Sequence, residues 1–556
     1  MKTFALALAL LLLPVSAFGQ VKTLYVDGAS LGGACSDAAG NTRATNSITT
    51  PWCTIEVADG LVLAGDTVLV RAGTYTVAVF SLDKDGTAGN WIYWKSYQRR
   101  STYLVGMVKL NGDYLQFEGF DVTNNTTPGS NTGRGIWAQA SHAKIIDNYV
   151  HGIKHEAISS GSTTNAITDI EITENHVYQC QYGIRTNGTE QLVQNNVVER
   201  PYFYYLDTEV SDSDYSRFNG SNQVWRNNYF FGAVDSEIHP IEHETCAGVD
   251  NPYPCCTGAH PTTNGCSAHV DCFQTYDTAV GKENVLFEGN TCKNFDQGLE
   301  SAQEVDEDYW IIRNNVFRQN LASGSGYGMI LHGIQNIYIY NNTFYDITYR
   351  GVYAVTTSTV VPDYILIKNN IFHTLDRAYS YEAAAANSLG AYNDRYNCTE
   401  TPLPVGAGAT DITSDPLMVS PATGDFNLVP ASPANNGGSW LTTITTATGS
   451  GTSFTVADAG YFWDGQGVTT GDVIRFQTSL ERRTITDITG NVITVSQSVS
   501  WTTGDGIAYN FTGTLPDMGA KEYGVEPGTC ALSTSGTGQM NFGSGGTGRI
   551  ELSQEP

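Results

Sequence analysis

A short motif recurs along the chain, in which apolar and polar residues alternate, a polar pair ends in Asn, and an apolar residue follows. The copies read IIDNYV, EITENHV, LVQNNVV, VWRNNYF, LFEGNTC, IIRNNVF, IYIYNNTF and ILIKNNIF. Their Asn residues are Asn148, Asn175, Asn196, Asn228, Asn290, Asn315, Asn342 and Asn370, at intervals of 27, 21, 32, 62, 25, 27 and 28 residues. Alternation with period two indicates strands, and intervals of this size indicate the coils of a solenoid. The pattern predicts an all-β parallel β-helix, with an insertion or an extra coil in the interval of 62.

The Asn residue in each copy has a predicted structural role. Asn adopts left-handed backbone geometry more readily than most residues, and its amide can bond to neighbours above and below. We therefore expect a ladder of hydrogen bonds along one turn of the solenoid, with the ladder Asn residues in the left-handed conformation.

A second motif follows each Asn strand: RGIWA, EAISS, YGIRT, DCFQT, QGLES, YGMIL, RGVYA and RAYSY. The central apolar residue should point into the core and the next residue outward. The predicted outward residues are Trp137, Ser159, Arg185, Gln274, Glu300, Ile330, Tyr353 and Ser380. Because stacked strands lie about 4.8 Å apart, Gln274 should stand beside Glu300, with Arg185 on the same face.

These repeats, the opening LYVDGAS…PWCTIEVADGLVLAGDTVLVRAGTYT and the closing SDPLMVSPATGDFNLVPASPANNGG resemble the right-handed parallel β-helix superfamily of pectate-lyase-like secreted proteins. The resemblance covers residues 21–437. It implies a right-handed solenoid and a carbohydrate-active protein. The superfamily includes lyases, hydrolases, epimerases and non-catalytic adhesins, so the fold alone does not decide the activity.

The remaining segments complete the predicted organisation. Residues 1–19 form a signal peptide, with one Lys before a short apolar stretch and small residues at the cleavage site. Residues 20–437 form the β-helix with an N-terminal cap and a Cys-rich insertion at 232–268. Short strands and Gly-rich turns in 438–512 predict a small β-domain. Residues 513–524 are expected to return to the solenoid as a strand, and 525–556 to form a flexible tail.

Composition narrows the partners. Charged residues make up only 15% of the chain, and the net charge is −27. Nucleic acid is excluded as a partner because phosphate binding requires clustered Lys and Arg. An acidic substrate would need a local Arg cluster or a bridging cation, so calcium is the one cofactor considered. We expect a monomer, secreted or periplasmic, without a membrane partner.

Eleven cysteines suit an oxidising compartment. Cys35 and Cys53 bracket a short polar loop and are predicted to be paired. Six more lie between Cys246 and Cys292, which permits 15 pairings that sequence does not separate.

The candidate catalytic residues are His269, Asp271 and Glu300, next to the longest departure from the repeat. His269 and Asp271 flank one apolar residue, so both side chains can point to one side of the strand. Asp271 would orient the imidazole as a base or acid, and Glu300 would act as partner acid or cation ligand. Arg185, Gln274 and Gln297 would bind the sugar, and Trp137 and Tyr353 would stack on it. The alternative is that this polar cluster only fastens a loop.

The leading interpretation is a polysaccharide lyase or glycoside hydrolase that acts in a cleft on the β-helix face. The alternative is a non-catalytic glycan-binding or adhesin-type β-helix. No metal site is assigned. The segment His239-Pro240-Ile241-Glu242-His243 has zinc-peptidase spacing, but Pro240 interrupts the helix that such a site needs. Cys266-x2-His269-x2-Cys272 also has metal-like spacing, although disulfides are expected in an exported chain.

Overall fold

The computed structural model describes most of the solenoid and the C-terminal domain. The described residues are 20–124, 133–162, 165–201, 213–233, 270–275, 281–301, 307–319, 326–357, 360–381, 387–399, 408 and 410–524, with the backbone of 529–531 and 541–543. His269, the predicted signal peptide and most of the Cys-rich insertion lie outside them. Within the described residues one α-helix occurs, α1 (Ile55–Leu61), and Thr54 caps its N-terminus. No described helix has the length and apolar character needed to cross a membrane.

Short strands make up the rest of the solenoid. In chain order they are β1 (Thr23–Val26), β2 (Thr67–Val70), β3 (Gly73–Leu82), β4 (Ile92–Ser96), β5 (Thr102–Leu110), β6 (Leu115–Glu118), β7 (Asp121–Thr123), β8 (Ile136–Ala138), β9 (Ala143–Ile146), β10 (Tyr149–His151), β11 (Glu156–Ser160), β12 (Ile167–Thr173), β13 (His176–Tyr178), β14 (Tyr182–Gln194), β15 (Val197–Glu199), β16 (Asp214–Asn219), β17 (Gln223–Arg226) and β18 (Tyr229–Phe231). They continue as β19 (Asp271–Thr275), β20 (Lys282–Glu288), β21 (Thr291–Lys293), β22 (Gln297–Glu300), β23 (Glu307–Arg313), β24 (Val316–Arg318), β25 (Tyr327–His332), β26 (Gln335–Tyr340), β27 (Thr343–Val355), β28 (Asp363–Lys368), β29 (Ile371–Tyr381), β30 (Leu389–Ala391) and β31 (Asp394–Cys398).

These 31 described strands pair in parallel and form a three-sided right-handed β-helix. The first face stacks strands such as β9, β12, β17 and β20. The second face stacks β10, β13, β15 and β18, and the third stacks β8, β11, β16 and β19. Long strands such as β14 bend around a corner and belong to two faces. The predicted fold class is confirmed.

The asparagine ladder is present and runs the length of the central solenoid. Asn175 is a typical member: its Oδ1 accepts from the backbone N–H and Nδ2 of Asn148, both at 3.0 Å. Its own Nδ2 donates to the carbonyl of Ile145 at 2.8 Å and to Oδ1 of Asn196 at 3.0 Å. Each buried amide therefore satisfies backbone groups of the adjacent coil, which buried polar groups require. The ladder also includes Asn393, which the motif search missed because Asp394 replaces the usual apolar residue after it.

The left-handed conformation lies one residue earlier than predicted. The residue before each ladder Asn has a positive φ, as at Asp147 (54°), Asn195 (57°) and Asn341 (54°). The ladder Asn itself begins the bonding to the next coil. The prediction was therefore right about hydrogen bonding and wrong about which member of the pair turns the chain, because the corner must reverse before the buried amide can point along the axis.

The interval of 62 residues is one coil with an insertion. Asn228 donates directly to Oδ1 of Asn290 at 3.0 Å, so no coil lies between them. Strands β17 and β20, and β18 and β21, likewise pair as direct neighbours.

A small antiparallel domain covers part of the first face. Its strands are β34 (Thr442–Thr443), β35 (Gly449–Thr455), β36 (Val473–Phe476), β37 (Arg482–Thr489), β38 (Val492–Trp501) and β39 (Gly506–Tyr509), after a short pair β32 (Met418–Ser420) and β33 (Asp425–Leu428) joined by a 3-10 turn at Pro421–Thr423. Solenoid residues Leu286, Ile311 and Tyr338 share one buried cluster with Phe462 and Trp463 of the domain. The domain predicted at 438–512 therefore exists, and its apolar side lies against the β-helix.

A buried charge network joins the two bodies. Arg313 of β23 is fully buried and bonds to Glu288 of β20 at 3.0 Å and to Asp472 of the domain at 2.6 Å. Tyr509 donates to the same Glu288 at 2.7 Å. Burial alone would raise the pKa of Glu288, but Arg313 and Arg226 outweigh it and lower that pKa to about 2.

One prediction about the C-terminal region is wrong. Residues 513–524 return to the solenoid, with Met518 packed beside Ile371, but they form turns and no strand. The predicted tail contains a short antiparallel pair, β40 (Thr529–Ala531) and β41 (Asn541–Gly543). Gly-rich sequence hides such short pairs because few side chains mark their alternation.

Cys35 and Cys53 form the predicted disulfide in the N-terminal cap. Among the described cysteines, Cys180, Cys272 and Cys292 are buried thiols.

Replacing Asn342 by Ala should lower the free energy of unfolding by about 1–3 kcal/mol, because it leaves buried backbone groups of adjacent coils unpaired. Urea denaturation followed by circular dichroism measures this. Asn165→Ala is the control, since the exposed side-chain amide of Asn165 donates one hydrogen bond, to the Gln139 carbonyl. Equal loss in the two variants would contradict the structural role of the ladder.

Arg313→Met should destabilise by about 3–5 kcal/mol, because the buried Asp472 loses its cation and Glu288 keeps only Arg226. The control is Arg482→Met, which removes an exposed guanidinium from β37 of the C-terminal domain. It should have little effect. Denaturation followed by tryptophan fluorescence reports on the domain through Trp463 and Trp501. A variant as stable as the parent would show that the network does not hold the two bodies together.

Candidate functional site

The third face carries a row of outward side chains, one from each coil. In register, the row contains Lys109, Trp137, Ser159, Arg185, Arg217, Gln274, Glu300, Ile330, Tyr353 and Ser380. The residue before each of these points inward, and the eight predicted core residues, from Ile136 to Tyr379, are all 0% exposed. The predicted alternation on this face is therefore confirmed, and we call this line of side chains the outer row.

Arg217 lies on β16, the third-face strand of the coil that contains Asn228, which the second motif did not identify. Its core position is Ser216 rather than an apolar residue, and the Ser216 hydroxyl donates to the carbonyl of Cys272. The coil places Arg217 directly between Arg185 and Gln274. One signal existed: Ile184 precedes Asn196 by 12 residues, and the same spacing before Asn228 points to Ser216.

Gln274 and Glu300 lie at the centre of the outer row, and His332, which is not part of the row, lies beside Glu300. The Gln274 amide donates to Glu300 Oε2 at 3.3 Å. His332 Nε2 lies 3.7 Å from Glu300 Oε1, and these two side chains are 15% and 18% exposed. His332 was missed as a site residue. It lies two residues beyond Ile330, so strand alternation puts it on the outer side, diagonal to Glu300.

Arg185 is held by a buried carboxylate. Glu156, whose side chain is 0% exposed, bonds to Arg185, to Arg134 and to His155. Burial would raise the pKa of Glu156, but His155 and the two guanidinium groups reverse this, and its pKa lies far below the ordinary value. Glu156 is therefore an anion at all physiological pH values and fixes the orientation of Arg185 on the outer row.

Arg217 has a similar support. It bonds to Asp214, whose side chain is 0% exposed, and its guanidinium lies 4.2 Å from the centre of the Tyr182 ring. Asp271, in the next coil, lies beside Asp214, and its backbone N–H donates to Asp214 Oδ1 at 3.1 Å.

Asp271 does not lie on the accessible surface as predicted, because its side chain is 0% exposed. The adjacent Val270, Cys272 and Phe273 all belong to the hydrophobic core, so strict alternation does not describe this stretch. His269, its predicted partner, lies outside the described residues, so their pairing stays a prediction.

The two predicted stacking residues do not present open rings. Trp137 is 8% exposed, donates to the Gly161 carbonyl, and has Arg134 at 4.0 Å over its ring. Tyr353 has Arg350 at 3.9 Å over one face. A cation lies over each ring, and sugar stacking by Trp137 and Tyr353 stays a prediction. Gln297 lies half-buried between Asp271 and Tyr327 in register.

Among the described residues, no group of three or more His, Cys, Asp and Glu side chains has the arrangement of a metal site.

Comparison with known proteins found one family model and several solved structures. A family model described as a protein of unknown function (DUF1565) matches residues 106–240, which hold Glu156, Arg185 and Arg217. No curated protein matches the chain. The chain is a parallel β-helix by its strand pairing.

Among solved structures, pectate lyase Pel9A has 14% identity and a TM-score of 0.44, covering 90% of this chain and 96% of that one. The complex of XylC with xylose has 11% identity and a TM-score of 0.47, covering 88% and 100%. The GH136 lacto-N-biosidase from Eubacterium ramulus has 12% identity and a TM-score of 0.42, covering 67% of each chain. Those activities belong to the proteins named.

Glu156→Gln should destabilise the chain by about 3–5 kcal/mol at neutral pH, because Arg134 and Arg185 lose a buried anion. The pKa of Glu156 is lower in the folded state, so its contribution is complete above the unfolded pKa of about 4.3 and is lost as pH falls below it. The difference between variant and parent in denaturant unfolding should therefore narrow in acid. Glu171→Gln, in a half-exposed pair with Lys144, should cost less than about 1 kcal/mol.

Proposed function

We propose that this protein is a polysaccharide lyase that cleaves an acidic polysaccharide on the third face of its β-helix. The observation that carries the proposal is the Glu300–His332 pair, partly exposed at the centre of the outer row, with Gln274 on Glu300 and two arginines one and two coils beyond Gln274.

The carboxylates of this face favour elimination over hydrolysis. Canonical glycoside hydrolysis uses two carboxyl groups that flank the scissile bond. Among the described residues of the outer row and of the line that holds Asp214 and Asp271, Glu156, Asp214 and Asp271 are fully buried, and Glu300 is 18% exposed. A single exposed carboxylate paired with an imidazole suits transfer of one proton.

In the proposed reaction, the Glu300–His332 pair takes the proton from the carbon next to the substrate's carboxylate. The electron pair left on that carbon forms a double bond as the neighbouring C–O bond of the glycosidic link breaks, and the departing oxygen takes up a proton. A guanidinium beside the substrate carboxylate would stabilise the developing charge. Arg217 lies two coil spacings, about 10 Å, from Glu300, so Arg185 and Arg217 suit carboxylates of adjacent sugar units.

The supports of the arginines fit this role. Each guanidinium has five N–H donors in a planar fork. Each also forms an ion pair with a buried carboxylate that orients it. A guanidinium can bind a carboxylate bidentately, which favours acidic sugars over neutral ones.

Glu300→Gln should fold normally and reduce kcat by about 10²–10⁴, the usual worth of a positioned acid–base group. The assay is ultraviolet absorbance of the unsaturated product on a panel of acidic and neutral polysaccharides, with reducing ends counted in parallel. Glu171→Gln makes the same chemical change on the first face and should keep parent activity. His332→Asn should match the loss in Glu300→Gln.

Three outcomes would overturn the proposal in different ways. New reducing ends without unsaturated product would indicate a hydrolase. Binding of a polysaccharide without any product would indicate the non-catalytic alternative. Full activity in Glu300→Gln would place the chemistry elsewhere in the chain.

A further inference from the structure

One inward position of the third face is glycine in five coils, for a steric reason. A Cβ on Gly135 would lie 2.8 Å from Val150, and one on Gly183 would lie 2.4 Å from Val198. On Gly298, Gly328 and Gly351 it would lie 2.5 to 2.6 Å from Phe317, Phe344 and Phe372. In these five coils the third-face strand therefore lies against the next inward side chain of the second face, whereas Ala157 and Tyr215 occupy this position in two other coils.

In the coil after the insertion, both partners of this contact are cysteines. Cys272 lies between Asp271 and Phe273, which are in register with Gln297 and Leu299, so it occupies the position of Gly298. Cys292 is in register with Phe317 and Phe230, so it occupies the position of the bulky partner. Both side chains are 0% exposed, and both belong to the same hydrophobic core cluster.

We propose that Cys272 and Cys292 become joined by a disulfide within this coil when the protein is exported. The two thiols would lose two protons and two electrons to a disulfide-bonded oxidant, whose own disulfide would be reduced to two thiols. The inference rests on the predicted signal peptide and on the steric pairing of the two positions. It does not depend on the proposed enzymatic activity.

The bond must form before the coil closes. Burial raises the pKa of both thiols in the folded chain, and the thiolate is the reactive species in disulfide exchange. Once formed, the bond ties β19, which carries Gln274, to β21 on the second face. It also restricts the pairings of the other cysteines of this region, Cys246, Cys255, Cys256 and Cys266, to partners other than these two.

The sequence allows an unambiguous test. The protein is exported through its own signal sequence, unfolded in denaturant with excess alkylating reagent and no reductant, and digested with a protease that cuts before Asp together with trypsin. Cleavage before Asp271 and Asp277 isolates residues 271–276, in which Cys272 is the one cysteine. Cleavage after Lys282 and Lys293 isolates residues 283–293, in which Cys292 is the one cysteine.

We expect mass spectrometry to find these two peptides linked, and the linked mass to disappear on reduction. In the Cys292→Ala variant, peptide 271–276 should become alkylated, which controls for access of the reagent. Alkylated 271–276 in the parent protein would overturn the proposal, and so would a link from it to any peptide from residues 246–266.

Discussion

The stacking of each coil directly on the next, through the buried asparagine ladder, is the interaction on which the rest of the molecule depends. A solenoid has no single compact core that could absorb a misplaced coil, so every strand must start in register with its neighbour. The amides of residues such as Asn175 and Asn228 enforce that register, since each one bonds to backbone groups of the adjacent coil. The insertion before Asn290 is tolerated because the ladder closes across it.

Register turns distance along the chain into proximity on a face. Arg185, Arg217, Gln274 and Glu300 are neighbours on one line although 115 residues separate the first from the last. The cost of assembling such a line is that charged groups are carried partly into the protein. The structure offsets that cost with buried counter-charges, Glu156 for Arg185 and Asp214 for Arg217, because a buried charge without a partner is strongly destabilising.

The C-terminal domain decides which faces remain available. Its apolar side and the Arg313–Asp472 contact cover the first face from the coil of Val224 onward. The third face keeps its outer row partly exposed, and there the Glu300–His332 pair and the arginines lie together. The domain thus acts as a structural cover of one side of the solenoid and leaves the candidate site on another.

Much of this could be read from the sequence, because strand alternation and coil spacing are local properties. The core residues of the third face, the adjacency of Gln274 and Glu300, and the cap disulfide follow from short motifs.

Burial is not a local property. The short motifs around Asp271, Glu156 and Trp137 do not indicate that the fold buries these side chains or pairs them with charged groups. The strand of Ser216 does not match the second motif, because a hydroxyl hydrogen-bonded to a neighbouring carbonyl takes the place of an apolar residue. Arg313 and Asp472 meet across 159 residues, and no pattern in either segment indicates the other. The sequence by itself therefore determined the coils and the direction of their side chains, whereas the tertiary structure decided which of those side chains meet solvent, because solvent access depends on every coil and domain that packs around them.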